Sequence, residues 1–506
     1  MTATTDTTRA APDRTATGLP VPVLGALALA GVVLRWYVLQ SPIGGFDADE
    51  ATSSLVSRQI LHGTFTAFIE PLHHGGTALA YPRAPLLALF GPRPLVMKLC
   101  EVAVYAAACL VVWRVGRRTF GEREGQLAAG VMWVYPAATV WESTKVMLYY
   151  TPAVLLAALA LLLCVRLYQD PRDRDVAWLG LVAGLSLWTH PIALYVCVPS
   201  VVWLAATTPA LLRQAWRAAP GAIVGGLPWL YHNLHSDFAS LDQPVGAERS
   251  TFWARLEGFF EALLPRIAGL RNQYLGGWYL RPLSGIVYAA LFVCVFVAVR
   301  HWHGERTLLL AVGLAYPFLF AIPNNSVFVD EPRYGMALLP VLALGVAYTL
   351  CRVLRRALLA PAAVLGLAAI SLVSLRHVVV ETAGTGGLNV LRPPSTDVLW
   401  RQLGDEGIDV AYADYWIGMR LEFEDRRAFD FIPVNAYYLD YLDHAPSEGS
   451  DVALFYADSP LITRWQQIVA ARGFTSDVEV VAPYAIVRSS AQVPLTATIG
   501  ALDRPG

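Results

Sequence analysis

Residues 19–51 read LPVPVLGALALAGVVLRWYVLQSPIGGFDADEA. The first part is an apolar window of about 20 residues, the length that crosses a hydrocarbon core of about 30 Å. The end turns acidic at Asp47, Asp49 and Glu50. This order predicts a membrane helix that stops at the lip of the bilayer and delivers carboxylates into a polar loop. No small-residue cleavage pattern follows the segment before Trp36, so it reads as an anchor rather than a cleaved leader.

The rest of the chain agrees with a membrane solvent. Of 506 residues, 56% are hydrophobic and only 15% charged, against roughly a quarter charged in soluble proteins. Apolar windows recur to Arg376, at roughly 19–40, 94–113, 125–140, 145–167, 176–189, 191–206, 218–232, 284–300, 307–322, 335–351 and 357–375. The expected fold class is an all-α polytopic membrane protein of about eleven transmembrane helices with a small C-terminal α/β domain. Basic residues gather in alternate short loops: Arg114, Arg117, Arg118 and Arg123; Arg172 and Arg174; Arg213 and Arg217; Arg300 and Arg306; Arg352, Arg355 and Arg356. The positive-inside rule makes those loops cytoplasmic.

A disordered tail, 1–18, with Arg9 and Arg14, is then cytoplasmic, and the odd number of crossings leaves the region after about 377 outside a plasma membrane. The domain reading is a transmembrane unit over 19–376 with long exterior loops at 41–94 and 233–282, an exterior α/β domain over 377–490 and a flexible end over 491–506. In the second long loop Phe252, Leu256, Phe259, Phe260, Leu263 and Leu264 recur at helical spacing, opposite Arg255, Glu257 and Glu261. That pattern suits a helix lying in the membrane interface or one packed on the protein itself. Trp278 and Tyr279 suit an aromatic belt. Beyond 377, Ser459 and Pro460 open a helix carrying Leu461, Trp465 and Ile468 and closed by Gly473; Val452–Tyr456 and Val478–Val481 read as strands. All six cysteines lie in or at the ends of apolar spans, which implies no disulfide framework, and a net charge of −1 points away from nucleic acid.

The first exterior loop concentrates chemistry-bearing residues. Near neutral pH an unperturbed carboxylate is ionised, so Asp49 or Asp47 can accept a proton from a hydroxyl attacking an electrophile; the same residues also suit the cap of the helix that follows. Glu70, His73 and His74 supply hard and borderline ligands, and Asp47 or Glu50 could complete a divalent-cation site; the alternative is a polar turn at Gly75 and Gly76. Arg333 and Tyr334, in the run Asp330 to Tyr334, stand where a guanidinium and a phenol can grip a lipid phosphate or simply anchor a span. Glu142 and Lys145, followed by Tyr149 and Tyr150, lie on the same face. Lys98 and Glu101, three apart within a span, are spaced to pair with one another. His190, ahead of Pro191, reads as a turn residue. Neither a nucleotide-phosphate loop nor a nucleophile elbow is present.

Asp49-Glu50-Ala51 in a long exterior loop, the segment 76–91 with Tyr81, Pro82, Ala84, Pro85 and Phe90, and Pro332-Arg333-Tyr334 ahead of Pro340 together resemble the GT-C superfamily of membrane glycosyltransferases, in the style of the protein mannosyltransferases and lipid A aminoarabinose transferases. The resemblance covers roughly residues 19–350. It implies juxtamembrane helices in the first exterior loop, a polyprenyl-phosphate sugar donor, and a glycan, lipid or protein acceptor whose hydroxyl is deprotonated by an acid of that loop. By position Asp49 takes that role, with Asp47 its competitor. Arg333 would contact the donor phosphate, and Tyr334, Lys145, Glu50 and Tyr81 would line the substrate site; some members bind a divalent cation. Two other readings accommodate the same charges: a transporter or flippase for a lipid-linked glycan, and a non-catalytic scaffold acting through its exterior tail.

Overall fold

A computed structural model describes residues 18–69, 73, 75–241, 251–272, 276–279, 281–323, 329–354, 356, 358–384, 391–426, 429–434 and 448–495. Of the tails read as disordered and flexible, residues 1–17 and 496–506 lie outside the described residues. Each expected span overlaps a helix, but the one at 125–140 is divided between two helices, and the expected count of about eleven transmembrane helices is not confirmed. In chain order the helices are α1 (Val21–Gln40), α2 (Ala48–Leu61), α3 (Ala80–Phe90), α4 (Pro94–Thr119), α5 (Glu122–Val134), α6 (Ala137–Glu142), α7 (Tyr150–Gln169), α8 (Asp173–Thr189), α9 (Pro191–Thr207), α10 (Ala219–His235), α11 (Phe252–Gly258), α12 (Leu264–Ile267), α13 (Arg281–His301), α14 (Thr307–Ala321), α15 (Leu339–Val353) and α16 (Leu359–Glu381). Among the described residues six helical stretches are long and apolar enough to cross a membrane: Val21–Gln40, Pro94–Thr119, Tyr150–Gln169, Gly304–Ala321, Pro332–Val353 and Leu359–Glu381.

Helix α7 is the centre of the bundle: Ala153, Ala157, Ala160, Leu161 and Cys164 are fully buried, and small side chains let α4, α8 and α9 close in around it. Helices α8 and α10 cross more tightly still. Gly180 and Gly184 of α8 lie against the Ala218 and Ala222 carbonyls, and Gly221 and Gly225 of α10 against those of Ala177 and Leu181, with no room for a β-carbon at any of the four. Such small-residue seams let backbones approach where apolar burial alone gives little drive. Intramembrane Arg35 is held within the protein. Its Nε donates to Ser143 Oγ at 3.1 Å, its Nη1 to the Trp133 carbonyl at 2.8 Å, and its guanidinium lies 3.6 Å over the Trp133 ring. It thereby ties α1 to the turn after α6.

The 252–264 segment packs on the protein. Phe259 and Leu263 are buried, with Phe259 against Tyr316 and Phe320 of α14. Arg255, expected on a polar side, is buried and donates from Nε to the Ala321 carbonyl at 2.8 Å, satisfying the open end of α14.

The C-terminal region is a five-stranded sheet, β1 (Val410–Ala413), β2 (Asp430–Pro433), β3 (Ser450–Tyr456), β4 (Ser476–Val481) and β5 (Tyr484–Val493), in the order β2-β1-β3-β5-β4. Strand β1 pairs parallel with β2 and β3; β5 runs antiparallel to β3 and β4 and reaches past residue 490, where a flexible end was expected. Three helices cover the sheet: α17 (Asp397–Glu406), α18 (Tyr415–Glu424) and α19 (Leu461–Ala470). The strand period of two divides β3 between its faces. Ala453 and Phe455 pack with Trp465 of α19, and Val452, Leu454 and Tyr456 share a core with α17, α18 and, across the domain boundary, Phe46, Ala48, Ala51 and Leu55 beside and within α2. The C-terminal sheet domain is thus seated on α2.

Candidate active site

Helix α2 starts where the sequence asks it to. Asp47 is its N-cap and accepts from the Glu50 amide at 2.9 Å, while Glu50 Oε2 accepts from the Asp47 amide at 3.1 Å, a full capping box. A cap of this kind stabilises a helix by about 1 kcal/mol. Thr52, Ser53, Ser54 and Ser57 nevertheless make this a polar helix in a buried place. Thr52 and Ser54 satisfy their hydroxyls on the Ala48 and Glu50 carbonyls, at 2.9 and 2.8 Å.

The caps are also charged groups, and two lysines meet them. Lys145 Nζ lies 2.5 Å from Asp47 Oδ2, and Lys98 Nζ pairs with Glu50 Oε1, which also accepts from the Val146 amide at 2.8 Å. The turn after α6 is further stapled by Trp141 Nε1 donating to the Ile43 carbonyl at 2.9 Å. Lys98 and Glu101 do not pair with each other as their spacing suggested: Glu101 pairs with Arg83 of α3, both fully buried. Partners on α2 and α3 win because the two side chains leave α4 toward different neighbours.

Asp49 differs from both flanking acids. It is partly exposed; its Oδ1 accepts from Tyr415 Oη at 3.0 Å, and Oδ2 carries no hydrogen bond among the described residues. Burial, reinforced by the neighbouring Asp47 charge, outweighs Arg333, Tyr415 and Lys145 and pushes the Asp49 carboxyl up to about 6. Burial also presses on Asp47, but Lys145, the Glu50 amide and Lys98 outweigh it and hold Asp47 below the ordinary carboxylate range. Burial opposes the Lys145 charge, yet Asp47, Glu50 and Glu142 keep that ammonium above its usual range.

The facing wall is aromatic. Tyr149 stacks on His190 with centroids 5.0 Å apart and planes 9° off parallel, Tyr150 meets Tyr334 edge-on at 5.5 Å, and the Arg333 guanidinium lies 5.3 Å from the Tyr150 centroid. Arg333 Nε approaches Glu331 Oε2 to 2.5 Å and has no aligned hydrogen bond among the described residues. His190 is the turn residue expected, its Nδ1 accepting from the Ile192 amide at 3.3 Å, and it walls the site as well. Burial, followed by Tyr334, drives the Tyr149 phenol upward, so it stays a hydrogen-bond donor at neutral pH. Gly75 lies against the Tyr149 ring in a positive-φ turn, so the first loop closes over this wall.

Asp47, Asp49, Glu50, Lys145, Arg333 and Tyr334 are therefore brought to one end of the bundle. Tyr81 sits apart, its hydroxyl donating to the Thr66 carbonyl at 3.0 Å and its ring packed near Trp188. Of the expected metal set, Glu70 and His74 lie outside the described residues, and His73 Nδ1 is 3.1 Å from His232 Nε2 of α10. Among the described residues no three of His, Cys, Asp and Glu gather as metal ligands, and Asp47 and Glu50 are already neutralised by lysines. The described residues do not make a divalent-cation centre. The residues that sequence reasoning missed are Lys98 as partner of Glu50, and Tyr415, which comes from a domain 366 positions downstream.

A family model described as dolichyl-phosphate-mannose-protein mannosyltransferase matches residues 78–232. The crystal structure of ArnT from Cupriavidus metallidurans bound to undecaprenyl phosphate superposes with a TM-score of 0.60 at 15% identity, covering 93% of this chain and 98% of that one. This chain has the fold of that ArnT. The apo structure of the same ArnT gives 0.60 at 13% identity, covering 94% and 98%. The Archaeoglobus fulgidus oligosaccharyltransferase in complex with Zn and sulfate gives 0.48 at 13%, covering 81% and 62%. No curated protein matches the chain by sequence. The GT-C likeness reaches further than the motifs between 19 and 350 implied, because a match over 93% of the chain takes in most of the C-terminal domain.

Proposed function

We propose that the chain is a membrane glycosyltransferase that moves a sugar from a polyprenyl-phosphate donor to an acceptor hydroxyl on the extracytoplasmic face. The observation that carries this reading is the contrast within one turn of α2: Asp47 and Glu50 are neutralised by lysines, while Asp49 Oδ2 carries no hydrogen bond among the described residues and its carboxyl is pushed up to about 6. A general base works best with a pKa near the working pH. In this reading Asp49 Oδ2 takes the acceptor proton as the hydroxyl oxygen bonds to the anomeric carbon. The bond from that carbon to the phosphate oxygen breaks, and the lipid phosphate leaves with the electron pair. In-line displacement inverts the configuration.

Arg333, with Tyr334 and Lys145 nearby, meets the charge that develops on the departing phosphate. No step is assigned to a divalent cation. The undecaprenyl phosphate in the ArnT structure and the mannosyltransferase family match both support a lipid-phosphate donor for this chain. The exterior orientation rests on the basic loops at the other end of the bundle. The test is transfer from an undecaprenyl-phosphate sugar by the full chain in detergent. Asp49→Asn should lower turnover by about 10²–10⁴-fold while the protein still folds; wild-type turnover in that variant would remove the proposed base.

A further inference from the structure

The C-terminal domain reaches the reacting end of the bundle through one side chain. Tyr415 is the first residue of α18, whose N-cap Asp414 accepts from the Trp416 amide at 2.8 Å. The helix is pressed onto α2 by Phe423 against Phe46, with centroids 5.1 Å apart, and by Arg58 of α2, which donates to the Glu422 carbonyl at 2.8 Å and pairs with its carboxylate. This seat brings Tyr415 Oη within 3.0 Å of Asp49 Oδ1 and, at the same time, 3.0 Å of Thr52 Oγ1.

We propose that Tyr415 is a positioning residue of the transferase site, its hydroxyl holding Asp49 Oδ1 so that Oδ2 is the oxygen presented to the acceptor. The proposal rests on the reading of Asp49 as the base. Without a partner, an aspartate at the start of a helix turns freely between its two oxygens and is also drawn to cap the backbone. Asp47 already occupies the cap. Tyr415 then fixes which oxygen of Asp49 faces away.

The hydrogen inventory allows the hold to persist through a turnover. With Asp49 ionised, Tyr415 donates to Oδ1 and can accept from Thr52. With Asp49 protonated on Oδ2, Oδ1 is the carbonyl oxygen of the acid and Tyr415 keeps donating to it. The hold therefore needs no rearrangement of heavy atoms. The charged and titratable groups around Asp49 are Asp47 on its own helix, Lys145 on the turn after α6, Tyr149 at the start of α7, and Arg333 and Tyr334 ahead of α15. Asp414, the cap of α18, is itself pushed up to about 6 by burial.

The experiment is carbodiimide labelling of the full chain in detergent across pH 5–8, read at the Asp49 peptide by mass spectrometry, because the reagent takes the protonated carboxyl. Unmodified protein should label with a midpoint of about 6. Tyr415→Phe removes one hydrogen bond to the ionised form and should move the midpoint up by about half to one unit. Asp414→Asn keeps the cap and should leave the midpoint in place. An unchanged midpoint in Tyr415→Phe overturns the proposal, as does an equal shift in Asp414→Asn. Transfer activity in Asp49→Asn would sink the base reading separately, since the labelling needs no substrate.

Discussion

At the end of the bundle that carries Asp49, the pairs Lys145–Asp47, Lys98–Glu50 and Arg83–Glu101 are buried, whereas at the opposite end Arg172–Asp170 and Arg217–Asp173 lie largely open to water. The same residue types do different work in the two places. Exposed pairs are screened and contribute about 0–1 kcal/mol, so these pairs add little to stability. Buried pairs gain little net stability as pairs, but losing one partner strands a charge. The site end therefore uses ion pairs to fix geometry and to leave one carboxylate, Asp49, out of the pairing.

That contrast can be broken at its centre. Asp49→Asn should lower turnover by about 10²–10⁴-fold, the range of general-base catalysis, in single-turnover assays with an undecaprenyl-phosphate sugar. Lys145→Met leaves Asp47 buried and unpaired and should destabilise the protein by about 3–5 kcal/mol, seen as a large fall in thermal midpoint in detergent.

The contrast is sharpened by pH. With Asp49 as base, kcat/KM should be flat above pH 7 and fall about tenfold per unit below about 6, where the carboxylate becomes protonated. Because the Asp47 charge helps to raise the Asp49 pKa, Asp47→Asn should move that acid limb to lower pH, the opposite direction to Tyr415→Phe. At the far end Asp173→Asn should change stability by less than about 1 kcal/mol and leave turnover intact; a loss comparable to Lys145→Met would erase the distinction between the two ends.

Apolar periodicity made the helices readable along the chain, because each window had only the bilayer length to satisfy. The acidic turn at 47–51 was readable as well, both as a cap and as a reactive cluster; in the structure the cap falls on Asp47, which is also paired with Lys145. The choice between Asp47 and Asp49 was not readable, since it depends on Lys145 arriving from 98 positions away. Lys98 and Glu101 misled for a related reason: helical spacing permits a pair, but partners on other helices decided. Tyr415 left no local signal at all. Its role follows from the seating of α18 on α2, a contact between distant stretches that neither periodicity nor composition encodes. The 252–264 helix was legible as amphipathic, and only the packing against Tyr316 and Phe320 showed which apolar surroundings it had chosen.

The glycine seam between α8 and α10 bears on the reactive end from a distance. Helix α10 ends at His235, and His232 in its last turn touches His73 of the loop that folds over Tyr149. A methyl group at Gly184 would act as a wedge near the fulcrum, tilting α10 and swinging its tip away from the loop. Four hydrogen atoms in place of side chains thus hold that loop against Tyr149.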